Sequence, residues 1–343
     1  MFFAKKLLTH VLGSADVLSG AVSSRNYNVT VVGGASEIGQ TVCMLLKTQP
    51  SITKLAVYDR LPCTPCVALD LSHIPTETVT KCYTSGHLEE AVEDADLVIG
   101  IGEVGSSVSS RTSLLAANAE YVTALCQSLL RANNALPFVG ILAEPINSII
   151  PMAAEILRGQ STHDPRKLFG ITGIDSLRAQ SMYASEHGLR ACECYVPVIG
   201  GHSEKTLIPL TSKSTPYRAM DVKRVDEYTT AVRQVSVLTH NRHRNALARR
   251  GYWPTLSPAC SVLLFAHEVL SALAGEPARV QAFVENNDFG TGFFAGLLEL
   301  DERGVIEMIR YTNLSQYEFQ LLEFAIIELR REINEGKRIL EIS

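Results

Sequence analysis

Val29-Thr30-Val31-Val32-Gly33-Gly34-Ala35-Ser36-Glu37-Ile38-Gly39 is the stretch on which the reading of the fold turns. A β-branched run from Val29 to Val32 breaks into a glycine turn, and Ile38 to Lys47 continues with helical spacing. That is the opening of a βα unit, with a spacing close to the GxGxxG dinucleotide turn. In such a turn glycines allow a tight bend, close backbone approach to a pyrophosphate and close helix packing. Gly34 and Gly39 keep two of the three glycines. Ser36 stands at the middle position and adds a side chain where a phosphate would approach, and Glu37 sets a carboxylate beside it.

Alone, such a turn is equally a plain strand-to-helix connection. The next strand, Leu55-Ala56-Val57-Tyr58, ends in Asp59, which lies 20 residues after Gly39. An acid at that distance binds the adenosine ribose hydroxyls, and it favours NAD over NADP because a 2′-phosphate would meet like charge. Gly33, Gly34, Ile38, Gly39 and Asp59 are therefore the candidate cofactor-binding residues, and NAD is the expected cofactor.

Outward from this unit the alternation continues through a helix from Val67 to Ser72, strands at Val79 to Tyr83 and Leu97 to Ile101, and a helix from Ser113 to Ala132. A strand at Phe138 to Leu142 and a helix from Asn147 to Leu157 follow. Successive βα units imply a parallel sheet with right-handed crossovers. After about residue 170 the character changes, with strands near Cys194 to Val198, Leu207 to Leu210, Arg279 to Glu285 and Gly292 to Glu299 set between long helices. Asp301-Glu302-Arg303-Gly304 reads as a turn between late strands, and Tyr317 to Leu340 as a closing helix that buries Leu321, Phe324, Ile327 and Leu329 on one side. The predicted fold is α/β. A Rossmann-type doubly wound parallel sheet fills a dinucleotide-binding domain over 26–171, followed by an α+β substrate/catalytic domain over 172–343.

Composition narrows the function classes. The 343 residues are 46% hydrophobic and 20% charged, an ordinary globular mix that excludes a disordered or fibrous chain. A formal net charge of −5 speaks against a nucleic-acid partner, and no uncharged apolar run of membrane-spanning length is present. Eight cysteines are too sparse for a disulfide scaffold. Cys63-Thr64-Pro65-Cys66 has the spacing of a redox or zinc half-site, but Cys192-Glu193-Cys194 is a poor second half, so no metal is expected and a Pro-containing loop is the simpler reading. Residues 1–25 carry Lys5, Lys6 and Arg25 against a single acid, Asp16, with apolar residues near helical spacing, the pattern of a mitochondrial presequence. A matrix location is the expectation, with an untargeted extension and a cytoplasmic protein as the alternative.

Three further stretches carry a resemblance: Ala68-Leu69-Asp70-Leu71-Ser72-His73-Ile74, Phe169-Gly170-Ile171-Thr172-Gly173-Ile174-Asp175-Ser176-Leu177-Arg178-Ala179, and Val196-Pro197-Val198-Ile199-Gly200-Gly201-His202. From about Tyr27 to its end the chain resembles malate dehydrogenases of the mitochondrial and bacterial type, a branch of the lactate/malate dehydrogenase family. The resemblance implies an NAD-dependent oxidoreductase acting on a 2-hydroxy/2-oxo acid, and a homodimer. It makes His202 the acid–base, Asp175 its orienting carboxylate and Arg178 the clamp for the substrate 1-carboxylate, with Arg111 and Asn118 also at the substrate. The pairing has a chemical reason. A neutral imidazole takes the hydroxyl proton near neutral pH, and the carboxylate fixes its tautomer and stabilises the imidazolium.

The chain also departs from that family's pattern. Gly105 stands where the first of two loop arginines would meet a distal carboxylate. In Ala143-Glu144-Pro145-Ile146-Asn147, Glu144 replaces the asparagine that hydrogen-bonds substrate, and it is either protonated or paired with Arg111. Pro258 replaces a methionine bordering the nicotinamide. Together with Ser36 and Glu37 these positions point to altered substrate specificity. The alternative is a catalytically impaired paralogue serving as a binding or structural subunit.

Overall fold

The computed structural model describes residues 26–102, 111–132, 135–159, 164–236 and 254–342. Strand β1 (Tyr27–Val32) leads through the glycine turn into helix α1 (Glu37–Lys47), and β2 (Ile52–Tyr58), α2 (Thr64–Ser72), β3 (Val79–Tyr83), α3 (Leu88–Val92) and β4 (Leu97–Ile101) follow. Helix α4 (Arg111–Ala132), β5 (Phe138–Leu142), α5 (Ile146–Arg158) and β6 (Leu168–Ile171) complete the first half. These strands lie in the order β3-β2-β1-β4-β5-β6, all parallel, so the order reverses between β1 and β4. The crevice beyond the carboxyl ends of such a pair is where an open α/β sheet takes its ligand. β4 and β5 are buried at every position, as expected of strands covered by helices on both faces.

The turn after β1 is tightly constrained. Gly33 has φ +85°, and a Cβ there would lie 2.1 Å from the Ile101 carbonyl oxygen, so only glycine lets β1 and β4 approach this closely. Ser36 is the N-cap of α1, its hydroxyl accepting from the Gly39 N–H at 3.1 Å and donating to the Gly33 carbonyl at 2.7 Å. The side chain expected to crowd a phosphate therefore closes the turn internally. Ser36→Ala is expected to lower stability by about 0.5–2 kcal/mol. A urea denaturation series checks this, and an unchanged midpoint would contradict the capping role.

The second half adds α6 (Gly173–Glu186), β7 (Val198–Gly200), β8 (Leu207–Pro209), α7 (Val222–Ser236), α8 (Leu256–Leu273), β9 (Ala278–Asn286), β10 (Gly292–Asp301), β11 (Gly304–Met308) and α9 (Gln316–Ile342). Its strands extend the same sheet. β9 pairs antiparallel with β6 through Gly170↔Phe283 and Ile171↔Ala282, and β10, β7 and β8 continue outward, with β11 also on β10. The Asp301–Gly304 turn joins β10 to β11 as expected.

Three sequence expectations need correction. The stretch from Cys194 to Val198 is not a strand: Ala191–Glu193 is a 3₁₀ turn, Tyr195 makes only an isolated bridge to Thr215, and pairing begins at Val198, after the donor-less Pro197. On α9 the buried stripe is Leu322, Ala325, Leu329 and Ile333, whereas Phe324 and Ile327 are exposed. Finally, α8 is long and apolar enough to span a bilayer by length and composition. Its apolar side chains, including Val262, Phe265, Ala266 and Val269, are instead buried in the core.

Candidate active site

The chemistry-bearing residues come from four elements. Asp175 sits in the first turn of α6, directly after β6, and Arg178 follows one helical turn later on the same face. Gly200 ends β7 with φ +103°, and a Cβ there would lie 2.0 Å from the Thr206 carbonyl oxygen. That glycine lets the chain fold back on β8 and carry His202 inward. The His202 N–H donates to Asn147 Oδ1 at 2.9 Å, and Asn147 Nδ2 in turn donates to Glu332 at 2.7 Å and Thr206 at 3.0 Å. The backbone of the histidine is thus pinned by α5 and α9.

Both ring nitrogens of His202 face carboxylates. Nδ1–H donates to Asp175 Oδ2 at 2.5 Å and Nε2–H to Glu144 Oε1 at 2.7 Å, and all three side chains are at least nine-tenths buried. Burial alone would push the imidazole toward its neutral form. The charges and hydrogen bonds of Asp175 and Glu144 outweigh it and hold the pKa well above the usual histidine value. His202 therefore rests as an imidazolium. Half-buried Arg178 is drawn below the usual arginine range by desolvation, against the attraction of Asp175 and Glu144.

The remaining candidates divide. Asn118, fully buried on α4, donates from Nδ2 to the Glu144 carbonyl at 2.5 Å and so braces the loop that carries Glu144. Arg111 is held elsewhere: its Nη2 donates to Ser148 at 3.1 Å and to Glu335 at 3.2 Å, with Glu332 at 3.6 Å. Glu144 meets His202 where an Arg111 pair was one expectation. Pro258 lies buried in the first turn of α8. Gly105 falls outside the described residues, as do 1–25. Sequence reasoning assigned no role to Glu332, Glu335 or Ser148, because their contacts join α9 to α5 across nearly 190 residues of chain. Cys63 and Cys66 are exposed, free thiols at the start of α2.

The cofactor residues fit a dinucleotide. Asp59 follows β2, and its Oδ2 accepts from the Ala35 N–H at 2.9 Å, so the acid sits over the glycine turn. The Glu37 and Ile38 amides in the first turn of α1 have no intrahelical acceptor, the ordinary place for a pyrophosphate oxygen. Glu37 is exposed. A groove of about 930 Å³ runs along α4 and α9 past Arg60, Leu115 and Arg338, but Asp175, Arg178 and His202 do not line it.

A dinucleotide turn at the switch point of the sheet, with a buried Asp–His pair at the start of the second half, is matched by two family models. "Lactate/malate dehydrogenase, NAD binding domain" covers residues 27–170, and "lactate/malate dehydrogenase, alpha/beta C-terminal domain" covers 172–340. The chain belongs to the lactate/malate dehydrogenase family. This bears out the resemblance read from the three motifs, the α/β fold class, NAD as the cofactor and the assignment as an NAD-dependent oxidoreductase of lactate/malate dehydrogenase type. Among curated relatives of this family member, a malate dehydrogenase of Haemophilus influenzae is 34% identical over 315 residues, covering 91% of this chain and 99% of its own. One from Vibrio vulnificus is 36% identical over 317 residues, covering 90% and 98%. The fold resembles the solved malate dehydrogenase of Naegleria fowleri, with TM-score 0.75 and 17% identity over 91% of this chain and 98% of that one. That of Cryptosporidium parvum gives TM-score 0.74 and 17% identity over 91% and 99%. The family match gives the impaired-paralogue alternative no support over the oxidoreductase.

Proposed function

We propose that this dehydrogenase interconverts 2-oxo and 2-hydroxy acids and does not select for a distal carboxylate. The observation that carries the reading is the buried Asp175–His202 pair with Arg178 on the same face of α6. Arg178 holds the substrate 1-carboxylate, and His202 Nε2 gives its proton to the carbonyl oxygen in reduction and takes it back in oxidation. Asp175 keeps Nδ1 protonated so that Nε2 is the exchanging atom. When bound, NADH supplies the hydride for the carbonyl carbon. Gly33, Gly34, Ile38 and Gly39 present the backbone for its pyrophosphate, and Asp59 its ribose.

The loss of dicarboxylate selection rests on two features. Glu144 puts a negative charge beside the reacting centre, and Arg111 is engaged by Glu332 and Glu335. A 2-oxo acid with an apolar side chain is therefore reduced at least as well as oxaloacetate. NADH and NADPH fluorescence titrations, followed by steady-state assays over a panel of 2-oxo acids, test the reading. Absent NADH binding, preference for NADPH, or strong preference for oxaloacetate would each contradict the corresponding part.

Arg178→Ala is expected to raise KM for every 2-oxo acid more than it lowers kcat, because the carboxylate contact is present in both ground and transition states. A fall in kcat at unchanged KM would remove Arg178 from the substrate carboxylate. A homodimer and a mitochondrial address belong to the same proposal. The family resemblance supports the first and the basic, acid-poor residues 1–25 the second. Sedimentation equilibrium and import into isolated mitochondria, with and without residues 1–25, test them.

A further inference from the structure

We infer that Glu144 is a second proton-carrying residue of this active site, protonated as an anionic 2-oxo acid enters and returning that proton to His202 after the substrate has been reduced. The inference rests on the 2-oxo acid reading above and extends it.

The geometry is that of a group occupying the place of a substrate oxygen. Glu144 Oε1 accepts from the ring nitrogen that must face the substrate, at 2.7 Å, while the opposite nitrogen is held by Asp175 at 2.5 Å. The charged groups around Glu144 are His202, which follows β7, and Asp175 and Arg178 on α6. Glu332 on α9 stands one hydrogen bond further, behind Asn147. With His202 as imidazolium, the four nearest charges sum to zero: Arg178 and His202 against Asp175 and Glu144. A substrate carboxylate arriving at Arg178 adds a fifth, negative charge to a site whose carboxylates are at least nine-tenths buried. It also brings a carbonyl oxygen that competes with Glu144 for the Nε2 proton.

Both changes favour the neutral form of Glu144, through a new like charge and the loss of its hydrogen-bond donor. A like-charged pair about 4 Å apart at an effective dielectric of about 20 weakens binding roughly a thousandfold, and uptake of one proton relieves it. The proton balance then closes. One proton enters from solvent on Glu144 with the ligand. As the carbonyl carbon accepts the hydride, the Nε2 proton moves to the carbonyl oxygen, leaving neutral imidazole and the hydroxy acid. Glu144 Oε–H then returns its proton to Nε2, and the resting ion pair is restored.

The test is isothermal titration of the NADH-loaded enzyme with oxamate, an unreactive isostere of a 2-oxo acid, in buffers of different ionisation enthalpy between pH 5.5 and 8. For the natural protein, uptake approaches one proton per oxamate and is already present at the acid end, where His202 is charged in the free enzyme. In Glu144→Gln, uptake is near zero at the acid end and rises with pH along the titration of His202, and oxamate binds more tightly than to the natural protein at neutral pH. Natural enzyme that takes up no proton at the acid end would overturn the proposal without reference to the variant. So would a Glu144→Gln profile that coincides with it. Failure of both proteins to bind oxamate while binding NADH would overturn the 2-oxo acid reading itself, and this proposal with it.

Discussion

Replacement of His202 by asparagine is expected to reduce turnover of every 2-oxo acid by about 10²–10⁴-fold, the usual contribution of a positioned acid–base group, while NADH affinity stays nearly unchanged. The separation follows from where the residue sits. His202 lies after β7, tied to Asp175 and Glu144, whereas the dinucleotide turn and Asp59 lie at the ends of β1 and β2. Single-turnover measurement of NADH oxidation isolates the hydride step, and fluorescence titration reports cofactor binding. Turnover at the natural rate would remove His202 from the chemistry. Loss of NADH binding would show that the variant disturbs more than the proton.

The second large effect is in specificity. Gly105→Arg combined with Glu144→Asn is expected to raise kcat/KM for oxaloacetate relative to an apolar 2-oxo acid by roughly two orders of magnitude or more. A charge-assisted contact to the distal carboxylate contributes about 1.5–3 kcal/mol. Removing a carboxylate about 4 Å from a substrate carboxylate relieves up to roughly 4 kcal/mol at an effective dielectric of about 20. The full sum is not expected, since neighbouring changes share partners and Asn118 grips the same loop through the Glu144 carbonyl. Arg111 does not substitute for the missing clamp while Glu332, Glu335 and Ser148 hold it. Unchanged relative kcat/KM in the double variant would mean that another cation governs the distal carboxylate.

Much of the fold is legible because local pattern and tertiary role agree. β3, β4 and β5 begin and end at the residues expected from their apolar and β-branched runs. The reading fails where tertiary contacts choose among local options. Cys194 to Val198 has strand composition, but the Ala191–Glu193 turn and the missing N–H of Pro197 delay pairing. The α9 segment Phe324-Ala325-Ile326-Ile327-Glu328-Leu329 is apolar on more than one face, so periodicity alone does not say which face the core takes.

At the site, Asp175, His202 and Arg178 are recognisable from two motifs, and Glu144 stands out as a replacement at a position with a known role. Its actual contact is not legible, because the partner on Nε2 is set by the meeting of β7 with the loop before α5. The same limit hides Glu332, which reaches Asn147 from 185 residues away. Ser36 is a different case: the N-cap signal was present in the residue type, but the phosphate reading masked it.

The pairing of β6 with β9 bears on how this enzyme tolerates being cut or moved. A boundary between residues 171 and 172 looks like a natural seam, yet severing there would strip Gly170 and Ile171 of Phe283 and Ala282 and leave two bare, apolar strand borders. Either half made alone would present an adhesive margin to its own copies, so fragment swapping between relatives should fail by precipitation even where each half is well formed. The same continuity couples the nucleotide turn and the histidine to one rigid plate, with no hinge at the seam. Opening and closing around substrate must then fall to loops and side chains, not to a clamshell motion of lobes.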